Sequence, residues 1–154
     1  MVQLDERLGA MAELVLEAVA GCESPCAADI GCDHGQLTAH LLERCSRLFM
    51  IASDVSGPSL EKAKRLLATS GLQDRALVVQ ADGLAGIDRP VQAIVIAGMG
   101  AETILRILRE GREKTGGAAL ILQANVDLPL LRCGLAEMGF AVEREVFSRA
   151  AGRR

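Results

Sequence analysis

Apolar residues recur at Leu4, Leu8, Met11, Val15 and Val19, the three-and-four spacing of one face of a helix. Gly21 and Pro25 stop that pattern, so residues 3–20 read as a flanking helix laid before the first strand. Beyond it the period changes. Short, nearly continuous apolar runs at about 27–30, 48–53, 76–80, 92–97 and 118–123 read as strands, with a last strand expected at 141–147. Helical stretches lie between them. One covers 36–44 and buries Leu37, Leu41 and Cys45; one starts at Pro58 and stops at Gly71. A third carries Ile104, Leu105 and Leu108 as far as Gly111, and a fourth runs from Asp127, with an early Pro129, to Gly139. Aspartate suits a helix cap and proline suits the first turn. Strands that are apolar throughout suit a parallel sheet covered on both faces. Strands alternating with helices, joined by right-handed crossovers, wind such a sheet from both sides. The expected fold is α/β, a doubly wound, mostly parallel, Rossmann-like sheet, with the polar loops gathered at one edge.

The first strand runs into Asp29-Ile30-Gly31-Cys32-Asp33-His34-Gly35 and then the second helix. A strand, a tight glycine turn and a helix form the ligand-binding corner of an open α/β sheet. Gly31 and Gly35 mark places where a side chain would block the turn or a ligand. The turn lacks the G-x-G-x-x-G order that cradles a pyrophosphate, and it sets Asp29 and Asp33 where phosphates would sit. A ligand with a cationic or neutral polar head fits better. S-adenosylmethionine, with its ammonium, sulfonium and ribose hydroxyls, is such a ligand. His34, beside the turn, is given a supporting role at most.

Further polar residues close the other strands. Asp54 follows the second strand, where a carboxylate grips two ribose hydroxyls or meets a helix N-terminus. Asp82 and Gly83 follow the third; the carboxylate there accepts from an adenine amino group or simply forms a turn. Gly98, Met99 and Gly100 follow the fourth, either letting the chain pass close to a cofactor or making a tight strand-to-helix turn. Gln123 and Asn125 end the fifth, where they bond a base edge or cap the turn. His40, one residue off its helix's apolar face, is expected in solvent, and Cys133 in packing.

Composition narrows the class. The 154 residues suffice for one domain with a real core. The net charge of −3 provides no overall basic field for nucleic acid, so any such partner must meet local groups: Lys62, Lys64 and Arg65; Arg106, Arg109 and Arg112; Arg149, Arg153 and Arg154. Aromatics are Phe49, Phe140 and Phe147 alone, so a bound base stacks on aliphatic or Met surface. Five scattered cysteines, with no second Cys/His pair to complete a zinc site, read as reduced thiols in a cytoplasmic protein, and no metal is expected. No apolar run approaches membrane-spanning length. The chain lacks the Asn/Asp-Pro-Pro-aromatic motif of exocyclic-amine methylation and the Pro-Cys of cytosine-C5 chemistry.

Taken together, D-I-G-C-D-H-G-Q-L, A-D-G-L, I-A-G-M-G and L-I-L-Q-A-N resemble the bacterial tRNA (adenine-N1)-methyltransferases that modify adenosine 22 of the D-loop. The Arg7-Leu8 pair and Gly139-Phe140 match as well, and the resemblance runs from about Leu4 to Arg154. It implies a class I methyltransferase fold, S-adenosylmethionine as cofactor, tRNA as partner, no membrane, and Asp33 as the catalytic carboxylate. Asp29, Gly31, His34, Gly35, Asp54, Asp82, Gly83, Gly98, Met99 and Gly100 then belong to the cofactor, and Gln123 and Asn125 to the substrate. A monomer is expected. The chain reads as a single methyltransferase domain, 1–154, without the helical C-terminal domain of the family. It also lacks the strand that in this fold sits between the fifth and sixth, so an open sheet edge is expected. Two other readings stand beside this one: a catalytically silent S-adenosylmethionine- and tRNA-binding module, and a small-molecule methyltransferase, since fold does not fix substrate.

Overall fold

A computed structural model describes residues 2–149. Five strands, β1 (Cys26–Ile30), β2 (Phe49–Asp54), β3 (Ala76–Gln80), β4 (Ala93–Met99) and β5 (Ala119–Ala124), lie in the order β3-β2-β1-β4-β5. Every pairing is parallel. Six α-helices accompany them among the described residues: α1 (Glu6–Val19), α2 (Gln36–Arg44), α3 (Gly57–Thr69), α4 (Ala101–Glu110), the single turn α5 (Arg112–Thr115) and α6 (Leu128–Glu137). Central β1 is buried at all five positions, as a strand covered on both faces must be.

Alternation along the strands divides the core into two layers. Ala27, Met50, Ala93, Val95 and Ile121 pack with Met11, Val15 and Val19 of α1 and with Leu37, Leu41 and Leu42 of α2. Ala28, Ile30, Ile51, Ile94 and Ile96 pack on the opposite face with Ile104, Leu105 and Leu108 of α4 and Leu131 and Leu135 of α6. Asp29 shares the face of Ala27, so its carboxyl lies under α1 and α2 rather than in solvent.

Local chemistry sets the helix ends. Asp5 accepts from the N–H of Leu8 at 2.7 Å, and Ser56, ahead of Pro58, accepts from Ser59 at 3.3 Å. Asp127 accepts from Leu130 at 3.3 Å. Arg75 donates to the carbonyls of Leu42, Cys45, Ser46 and Leu48, satisfying the end of α2 and the approach to β2.

The strand expected at 141–147 is absent. Residues 141–149 are exposed and carry no strand pairing. A strand exists only through its ladder, and a sixth strand in this fold pairs with one inserted beside the fifth, which the described residues do not supply. Three smaller expectations also change. His40 is half-buried, with Nδ1 3.0 Å from the carbonyl oxygen of Val2, because the N-terminal segment crosses its helix. Cys133 is exposed, since α6 turns another face to the sheet, and Cys45, at the C-terminal cap of α2, is half-buried against the core. None of the described helices is long and apolar enough to cross a membrane.

Candidate functional site

The chain turns from β3 back to β4, which lies beside β1, so the connections diverge between β1 and β4. Ligands bind at this divergence, beyond the carboxyl ends of the strands. A cleft of about 340 Å³ opens there. Its acidic and basic lining residues are Asp29, Asp33 and Asp54, with His34 and Arg7.

The glycine turn forms one wall. The N–H groups of Gly31 and Cys32 both donate to the carbonyl of Ser53, at 2.8 and 2.9 Å, which folds the chain sharply after β1. Gly31 has φ +71°, and a Cβ on it would lie 2.6 Å from the terminal methyl of Met99. Gly35, with φ +81°, starts α2 against α3; a Cβ there would lie 2.8 Å from that of Ala63. Asp33 adopts φ +52°, a left-handed conformation that aspartate tolerates better than most residues. Its N–H donates to Asp54 Oδ2 at 2.9 Å, while Asp54 Oδ1 accepts from the N–H of Ser56 at 2.9 Å. Asp54 thereby joins the ends of β1 and β2.

The carboxylates differ in environment. The Asp33 side chain is 76% exposed at the mouth, 3.4 Å from Nε2 of His34. Asp29 is 4% exposed and accepts from Thr38 Oγ1 at 2.9 Å. Burial pushes its carboxyl up to about 6; the Thr38 bond opposes this, and the charges of Asp54 and Asp33 add to it. Burial, with the same three carboxylates nearby, likewise pushes up the Cys32 thiol, so it is no nucleophile.

The far wall comes from β4 and β5. Ala97 pairs with Gln123 and Met99 with Ala124, which leaves Gly98 between them in a register shift. The Gly98 N–H donates instead to Gln123 Oε1 at 2.9 Å. Gly100 lies just behind, heading α4, and the Asn125 N–H donates to the Met99 carbonyl at 2.8 Å.

Among the residues singled out in the sequence, Asp29, Gly31, Asp33, His34, Asp54, Gly98 and Met99 line this cleft. Asp82 and Gly83 do not. They border a second recess of about 150 Å³ with Ile107 and Lys114, and Asp82 faces Arg106 at 3.6 Å. Gln123 stands behind the wall rather than on it. Arg7, Gln36 and Ser59 also line the cleft. Residue spacing alone does not mark Arg7 as a site residue, because nothing local brings residue 7 to the strand ends. Only the Arg7-Leu8 resemblance points to it.

A family profile described as a methyltransferase domain matches residues 4–154. The chain is 33% identical to the tRNA (adenine(22)-N(1))-methyltransferase of Bacillus subtilis over 154 residues, 99% of this chain and 62% of that protein. The chain thus spans less than two thirds of that relative's length. The crystal structure of the B. subtilis m1A22 tRNA methyltransferase TrmK superposes with a TM-score of 0.87 at 33% identity, covering 99% of this chain and 64% of that one. That of a candidate tRNA (m1A22) methyltransferase from Streptococcus pneumoniae, in complex with S-adenosyl-L-methionine, superposes with a TM-score of 0.87 at 32% identity. There the shares are 98% of this chain and 69% of the other.

Proposed function

Because the chain belongs to the methyltransferase-domain family, among its TrmK-like members, we propose that it methylates N1 of an adenosine in tRNA, with S-adenosylmethionine as donor. The observation that carries this reading is the cleft at the β1/β4 divergence, lined by three aspartates and one arginine. S-adenosylmethionine has an ammonium and a sulfonium for carboxylates, a carboxylate for a guanidinium, and a ribose diol for a two-oxygen acceptor. The residues fit it: Gly31 lets the chain turn sharply at the cleft wall with Met99 packed close against it, and Asp54 sits at the end of the adjacent strand.

In this reading Asp54 takes the ribose hydroxyls, Asp29 faces the ammonium and Arg7 the carboxylate. Asp82 and Gly83 border the separate recess and take no contact in this reading. His34, Gly35, Gly98, Met99 and Gly100 shape the walls. The cofactor supplies an electrophilic methyl group on sulfur. Adenine N1 has its own lone pair, so no proton has to leave before attack. What remains for the chain is to align the acceptor and exclude water. Asp33, exposed at the mouth, holds a negative charge where the ring becomes cationic. Asn125, exposed at the end of β5, is placed to bond a base edge. The adenosine must leave its stack to enter. A tRNA substrate also implies a cytoplasmic protein.

The test is incubation of the chain with methyl-labelled S-adenosylmethionine and unmodified bulk tRNA, with nucleoside mapping of the product. Label in 1-methyladenosine is expected. Cofactor binding without transfer would leave a silent module, and label in small molecules or another nucleoside would replace the substrate.

A further inference from the structure

Gln123 is bonded at both ends inside the protein. Its Oε1 accepts from Arg7 Nη1 at 2.9 Å and from the Gly98 N–H at 2.9 Å, and its Nε2 donates to Asn125 Oδ1 at 3.1 Å. Two donors at one end fix the amide orientation, because only the oxygen has two lone pairs to receive them. The arrangement depends on the register shift in β4. Gly98 falls between two ladder pairs, and Gln123 takes the N–H the ladder does not use. One half-buried amide thus joins residue 7 on α1 to the end of β4 and the loop after β5.

We propose that Gln123 is a positioning residue, holding the Arg7 guanidinium at the cleft so that the site selects ligands bearing a carboxylate. This rests on the proposed function, in which Arg7 meets the carboxylate of S-adenosylmethionine. The charges on the cleft wall make the position of Arg7 decisive. Asp29, Asp33 and Asp54 attract an ammonium but repel a carboxylate. A zwitterionic end enters such a cleft only where a cation offsets the second half. Arginine has many rotamers, and holding it in the binding one beforehand lowers what the ligand must order. A tethered guanidinium still has further N–H groups to offer a ligand.

The experiment compares S-adenosylmethionine with its decarboxylated form by titration calorimetry, on the parent, Arg7→Met, Gln123→Met, Gln123→Glu and the double variant Arg7→Met/Gln123→Met. In Gln123→Met, affinity for S-adenosylmethionine should fall about tenfold, the scale of one hydrogen bond to a charged group. Affinity for the decarboxylated form should stay within about twofold. The double variant should match Arg7→Met, because Gln123 acts through Arg7. Gln123→Glu should restore the preference, since a carboxylate accepts from both donors and Asn125 can turn its amide to donate. Equal losses for both ligands, or none, would overturn the proposal, as would a double variant weaker than Arg7→Met. Should Gln123→Met melt below the assay temperature, Gln123→Asn reads the same ratio, its shorter side chain being unable to span both donors. A parent that binds neither ligand is a separate result, overturning the cofactor reading and this proposal with it.

Discussion

Among the single residues, Asp29 combines the deepest burial with a charge. Its carboxyl goes from 3.8 to about 6 on folding. Between those values the folded chain holds the extra proton, so this group's contribution to stability falls as pH rises through about 6. Above that, burying the ionised form costs about 3 kcal/mol. Asp29→Asn keeps an acceptor for Thr38 and removes the charge. Its melting temperature should exceed the parent's at pH 8, with the gap closing toward pH 4, while its affinity for cationic ligands falls. A gap that ignores pH would mean that Asp29 is not the buried charge described. For the parent, a cation bound beside ionised Asp29 lowers its proton affinity, so S-adenosylmethionine should bind more tightly as pH rises through about 6; a flat affinity profile would place its ammonium elsewhere. Asp33 calls for a different measurement. Asp33→Asn should slow methyl transfer to tRNA by roughly 10²–10³-fold, the scale of one lost electrostatic stabiliser. Cofactor affinity should change far less, and a rate within a few-fold of the parent would remove Asp33 from the chemistry.

The helices show where propensity yields to packing. Gly134 lies within α6, where exchange for alanine ordinarily gains about 1 kcal/mol. Here a Cβ would lie 2.5 Å from one methyl of Leu105 and 2.6 Å from the other. Leu105 is buried against the sheet, so its branched end cannot swing into solvent. Gly134→Ala should therefore destabilise by about 1–3 kcal/mol through overpacking between α4 and α6. A urea midpoint at or above the parent's would show that the two helices separate easily. α1 offers the complementary case. Met11, Val15 and Val19 anchor it on the sheet, and that packing carries Arg7, the second residue of the helix, to the strand ends. A structural face and a site residue share one helix.

Over the whole molecule, charge decides the character of any tRNA contact. The net charge is −3, so attraction must come from local cations such as Lys62 and Arg65, exposed on α3, or Arg109 on α4. Binding should weaken steeply with salt. Even two phosphate contacts give about a tenfold loss between 50 and 200 mM. Filter-binding affinity independent of salt would contradict phosphate recognition. The segment after α6 lies on the surface, held by Arg132 to Glu145 at 2.7 Å and by Arg144 to Glu17 at 2.8 Å, with Phe147 89% exposed. Arg153 and Arg154, grouped with Arg149 as basic residues, lie outside the described residues.

The elements were legible because their signals are local. Apolar period separates strand from helix, and Pro58, Gly111 and Asp127 mark helix ends by local chemistry alone. The glycine turn and Asp54 were legible as strand-end features, and parallel pairing brings strand ends to one edge. Contacts between distant residues leave no such trace. The bond between Arg7 and Gln123 spans 116 positions, and it depends on a register shift that only the paired strands define. Asp82 reads like Asp54 in the sequence, yet the course of the chain after β3 turns it toward Arg106. The run at 141–147 has strand composition and no strand, because pairing belongs to two segments and one segment's sequence describes only half of it. Local pattern determined which elements form; tertiary structure decided which side chains share the cleft, since that depends on packing across the sheet.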